Sequence, residues 1–112
     1  MRVIVEQVIN KNEWMAELGF DQYTPAQQKT LWDLVFRALQ TKAMDVLLDQ
    51  LSQADQRHLV QYMSEDELSD QLQKFLDKKV PGYANLIQEE LMEYKKQLKR
   101  NLNRLVRKPE EG

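Results

Sequence analysis

Asp55 and His58 stand three residues apart, a spacing that on a helix sets a carboxylate beside an imidazole and could orient it for acid–base work or metal binding. His58 is the sole histidine, and the chain has no cysteine. Those counts remove disulfides, thiolate metal sites, cysteine nucleophiles and any centre that needs two imidazoles, including di-iron bundles built on paired Glu-x-x-His helices. A solvent-facing histidine near the start of its helix accounts for the pair more simply. Glu89, Glu90 and Glu93, or Glu65, Asp66 and Glu67, could hold a divalent cation weakly. Both clusters fall where a helix begins, however, and carboxylates there complement the helix dipole. Glycines only at positions 19, 82 and 112 cannot build a phosphate-cradling loop, and there is no Gly-x-Ser-x-Gly elbow. No catalytic, cofactor-binding or metal-binding residue is assigned, no cofactor is expected, and the chain reads as a non-enzyme.

The strongest functional feature is basic. Residues 95–108 carry Lys95, Lys96, Lys99, Arg100, Arg104, Arg107 and Lys108 and no acid. The other nine bases face all 18 acids, so a body of net −9 carries a segment of +7 within an overall charge of −2. Lys96, Arg100, Arg104 and Lys108 recur every four residues, which draws one stripe along a helix. The stripe could be a solvated face, a surface for an acidic protein or a second copy, or a row that neutralises phosphates. Tyr94 at its edge is the nearest aromatic, and an acidic body repels phosphate, so protein contact ranks above nucleic acid. The expected contact residues are Lys96, Lys99, Arg100 and Arg104 for charge, with Leu98, Leu102, Leu105 and Val106 for apolar contact.

The elements that position these residues follow from composition. In 112 residues, 42% are hydrophobic and 30% charged, enough for one domain that buries about two-thirds of its surface. The start, MRVIVEQVIN, is interrupted by Glu6 and Gln7 after three apolar residues, too short for a secretory leader. No apolar run elsewhere approaches the roughly 20 residues that cross a bilayer. A cytoplasmic, membrane-free setting is expected. Three glycines and three prolines in a chain rich in Leu, Gln, Glu, Lys, Ala and Met predict an all-α fold, a compact bundle of four to five helices with a long C-terminal helix.

Helix starts are written at Thr24-Pro25-Ala26-Gln27, Ser52-Gln53-Ala54-Asp55 and Ser64-Glu65-Asp66-Glu67. In each, a hydroxyl can accept the N–H three residues on while the third residue caps in return. Asn12 is expected to cap a short helix over residues 13–18, closed by Gly19. The β-branched Val3, Ile4, Val5, Val8 and Ile9 fit either a strand-like arm or a docked helical turn, with helix preferred. Residues 25–51 should form a long helix with an inner stripe of Leu31, Leu34, Val35, Ala38 and Leu39, continued by Leu47, Leu48 and Leu51. Trp32, Phe36, Ala43 and Val46 make it apolar on a second side, as in a helix central to its bundle or facing another subunit. Shorter helices are predicted over 53–63 and 65–79, then a break at Val80-Pro81-Gly82. In the last helix, over 83–107, Ala84, Ile87, Leu91, Tyr94, Leu98, Asn101 and Leu105 form a heptad seam. Asn101 would fix register in a helix pair, or mark a helix leaving the core. Residues 1–10 and 108–112 are candidates for fraying.

The order of features resembles a family of small all-helical bacterial domains of unknown function, widespread in candidate-phyla bacteria with reduced genomes. It rests on Leu18-Gly19-Phe20, the Pro25 start, Leu47-Leu48-Asp49-Gln50-Leu51-Ser52, the capped acidic pair, Pro81 and Glu89-Glu90-Leu91-Met92-Glu93-Tyr94-Lys95, and covers roughly residues 16–100. The resemblance implies a cytosolic protein with no assigned reaction and supplies no catalytic residue. The basic extension after Leu98 and the β-branched start lie outside the family pattern.

Overall fold

A computed structural model describes residues 1–63 and 69–111, with side chains described as far as Leu102. The order is α1 (Arg2–Val8), α2 (Lys11–Glu17), a 3₁₀ turn (Phe20–Gln22), α3 (Pro25–Asp49), α4 (Gln53–Tyr62), α5 (Asp70–Lys79) and α6 (Tyr83–Glu111). The fold is all-α, with six α-helices among the described residues where four to five were expected. The extra helix is α1. Its β-branched run folds as helix because Ile4 and Val5 are buried there, and burial outweighs a propensity difference of a few tenths of a kcal/mol per residue.

Extended backbone at Ile9 separates α1 from α2. Asn10 caps α2, its side chain accepting the Glu13 N–H at 3.1 Å, which corrects the expectation of Asn12. The chain turns helical straight after Asn10, so Asn12 already lies inside the first turn. Gly19, at φ 78°, supplies the left-handed residue that ends this segment.

The Thr24 box forms as read. The Gln27 N–H donates to Thr24 Oγ1 at 3.2 Å, and the Thr24 N–H donates to Gln27 Oε1 at 3.1 Å. Ser52 accepts the Asp55 N–H at 3.2 Å to start α4. From α4, Gln56 Nε2 reaches back and donates to the carbonyls of Leu48 and Leu51, at 2.9 and 3.3 Å, tying the start of α4 to the chain at the end of α3. Helix α5 begins at Asp70 rather than near residue 65, because Ser69 accepts the Leu72 N–H at 3.1 Å. The expected Ser64 box, its acidic cluster and Leu68 lie outside the described residues.

The core gathers Ile4, Trp14, Leu39, Leu47, Leu59, Leu76, Ile87 and Leu91 from every helix. Helix α6 packs along α3 and α1. On α3 the buried face is Trp32, Leu39, Ala43 and Leu47, while Leu34, expected in the inner stripe, is 60% exposed. On α6 the inner row is Tyr83, Ile87, Leu91 and Lys95, and Ala84 of the predicted seam is exposed. Both departures rotate a helix about its axis, since each helix carried more apolar positions than one neighbour could cover.

The molecule is elongated, 52 × 24 × 19 Å with a radius of gyration of 16.3 Å, against about 13 Å for a globular chain of this length. Its surface of 7884 Å² likewise exceeds the roughly 6,500 Å² of area scaling. The excess reflects α6, whose 29 residues span about 43 Å. Its backbone stays helical through 108–111, the stretch read as a frayed tail. Among the described residues no helix is long and apolar enough to cross a membrane.

Candidate functional site

The i, i+4 row on α6 that begins with Tyr83, Ile87 and Leu91 has Lys95 as its next member. This places a cation on the core side of the helix, where it is only 9% exposed. Two residues of α2, one helical turn apart, receive it. The Lys95 ammonium lies 5.2 Å above the centre of the Trp14 ring and forms an ion pair with the Glu17 carboxylate. The aliphatic stem completes the apolar row while the charge is neutralised at its tip. Glu17 is held below the ordinary carboxylate range by the hydrogen bond from Lys95, against a smaller opposing effect of desolvation, with the charges of Lys95 and Lys99 adding to the lowering.

This changes the reading of the basic segment. Lys95 is an internal residue of the α2–α6 contact and not part of an open row. Leu98 and Leu102, expected on the partner surface, are half-buried against the chain's own core. The open part of the predicted surface is Lys96, Lys99 and Arg100, with Lys96 paired to Glu93 at 3.7 Å. Asn101 is exposed, in keeping with a helix that is leaving the core. Arg104, Leu105 and Val106 follow on α6, and their side chains lie outside the described residues. Tyr94, the aromatic at the edge of the row, is half-buried and covered by Lys42 of α3, 5.3 Å from its ring centre.

The Asp55 and His58 pair is drawn apart. Asp55 turns to Lys79 on α5, 3.5 Å away. His58 stacks on Tyr62 with ring centres 6.3 Å apart and leans on Phe75 at 6.5 Å, while Tyr62 and Phe75 meet edge to face at 5.4 Å. These contacts join α4 to α5 and give the histidine a packing role. Glu89, Glu90 and Glu93 are all exposed and lie in the second and third turns of α6 rather than at the helix start where they were expected, and among the described residues no group of three or more His, Cys, Asp or Glu side chains could hold a metal ion.

Sequence reasoning missed the Lys95, Trp14 and Glu17 contact. The available signal was the i, i+4 row on α6 together with Trp14-x-x-Glu17 on one face of α2. Counting charge along the chain hid it, because it grouped Lys95 with the bases that follow.

Residues 14–98 match a family described as protein of unknown function (DUF5663). No curated protein and no solved structure matches. The matched span opens at Trp14 and contains both Glu17 and Lys95, whereas α1 and the bases from Lys99 onward fall outside it.

Proposed function

The chain belongs to the DUF5663 family of proteins of unknown function, and from that premise we propose that it is a non-catalytic helical interaction module of the cytoplasm that meets an acidic protein partner through the C-terminal half of α6. The observation that supports this reading is the solvent-open basic face of α6 after Lys95, opposite the half-buried Leu98 and Leu102. The helix is packed against α1 and α3 and fixed to α2 by Lys95. Beyond Lys95 it runs on to Glu111 with Lys99 and Arg100 open to solvent, and Arg104, Arg107 and Lys108 follow without an intervening acid. A cationic helix face open to solvent offers charge complementarity to an acidic surface.

Reversing Arg100→Glu together with Arg104→Glu tests it. Partner recovery from native lysate should be lost while helicity by circular dichroism is unchanged, and recovery that survives the reversal overturns the reading. The alternative, a nucleic-acid accessory that neutralises phosphates with the same bases, predicts a log affinity falling linearly with log salt, with a slope near −0.9 for each phosphate contacted. The covered Tyr94 and the acidic body speak against it.

A further inference from the structure

The side of α3 turned away from the core is uncharged for four turns. At 100° per residue, Gln27, Thr30, Leu34 and Thr41 share this side, with Leu31 and Ala38 half-buried along its core-facing border, in a chain that is 30% charged. Leu34 at its middle is 60% exposed. At its N-terminal end Tyr23, 40% exposed, closes a shallow apolar groove of about 380 Å³ over Ala26, Gln27, Thr30 and Leu31. The exposed face of α6, by contrast, carries Glu89, Glu93, Lys96 and Arg100.

One edge of this stripe carries Asp33 and then, a turn later, Arg37, both exposed. Neither is in an ion pair among the described residues. When two copies of a helix pack antiparallel, the same edge of each meets the other and residues exchange across a two-fold axis. With that axis beside Leu34 and Val35, each Arg37 comes opposite the other copy's Asp33. The two Leu34 side chains then meet at the centre, Ala38 falls over Leu31 of the other copy, and the Tyr23 groove is used twice. We infer that α3 is a self-association surface on which a second copy of this chain docks antiparallel, Leu34 against Leu34, with register set by the reciprocal Arg37 and Asp33 pairs. A footprint of one helix face lies at the small end of specific interfaces, so association is read across a wide range of protein concentration.

Sedimentation velocity from micromolar to millimolar protein should show a concentration-dependent shift toward dimer that Leu34→Glu abolishes. Because Leu34 is exposed, that variant keeps the fold, which circular dichroism checks. Asp33→Arg alone should weaken association, and adding Arg37→Asp should restore it. The chain has no cysteine, so Leu34→Cys should give a disulfide-linked dimer on mild oxidation, while Thr41→Cys cross-links only when mixed with Gln27→Cys. A monomer at every concentration, or association that persists in Leu34→Glu and is lost in Arg100→Glu with Arg104→Glu, overturns the inference and in the second case moves self-contact to α6.

Discussion

Lys95 of α6 is buried between the ring of Trp14 and the carboxylate of Glu17, so one lysine joins the middle of the last long helix to the short second helix. The contact combines packing and charge, and substitutions can separate the two. Lys95→Ala removes the stem, the ring contact and the pair, and should destabilise by about 1–3 kcal/mol. Lys95→Met keeps the stem and should recover most of that loss, since the Glu17 side chain is 44% exposed and water can solvate the carboxylate left behind. Urea midpoints of the two variants check the order.

The same pair sets a response to acid. Glu17 has a folded-state pKa below its unfolded value of about 4.3. Its contribution to stability is therefore fully present above that unfolded value and is lost as pH falls through the lower folded one. Wild type should be more stable than Glu17→Gln at neutral pH, with the difference closing only below about pH 4. Urea titrations at stepped pH would show it, and a gap that is independent of pH would contradict it.

At the alkaline end, burial first and the charge of Asp77 second raise the Tyr83 phenol above its ordinary value. The folded chain holds this proton more tightly than the unfolded one. The resulting stability is present below about pH 10 and declines as pH rises through the folded value. Tyr83→Phe should remove that decline, which thermal melts stepped from neutral pH through the range of phenol ionisation would record.

The rotation of α3 can be read from two leucines. Leu39 is fully buried and Leu34 mostly exposed. Leu39→Ala should cost about 2–5 kcal/mol, whereas Leu34→Ala should stay within about 0.5 kcal/mol. Equal losses at the two positions would restore the stripe first read from the sequence.

The start of α2 gives a second discriminating pair. Asn10→Ala should cost about 1 kcal/mol through loss of the cap to Glu13, and Asn12→Ala only a few tenths. Chemical denaturation of both variants decides between the two asparagines.

The helical class, the Thr24 and Ser52 caps, the turn at Gly19 and the break before Tyr83 were legible because each depends on residues within about four positions of one another. Hydroxyl caps, left-handed glycines and helix propensity act at that range. The cap of α2 was misplaced by two residues because two asparagines stand close together and either can cap; the extended backbone runs through Ile9 to Asn10, which takes the role. The Asp55 and His58 pair had suitable spacing on one helix, but Lys79 and Phe75 on α5 compete for each member and win.

The residue sequence by itself determined that this chain is helical, where α3, α4 and α6 begin, and that its bases collect from position 95 onward. Tertiary structure alone decided which face of α3 and α6 turns inward and which lysine is spent inside. A helix with apolar residues on two sides has no local reason to bury one over the other; the choice belongs to the partners that arrive from elsewhere in the chain. Trp14 and Glu17, brought from the opposite end of the sequence, make Lys95 a buried contact while its neighbour Lys96 remains in water, because desolvating a cation is tolerated only where a ring and a carboxylate are already in place to receive it.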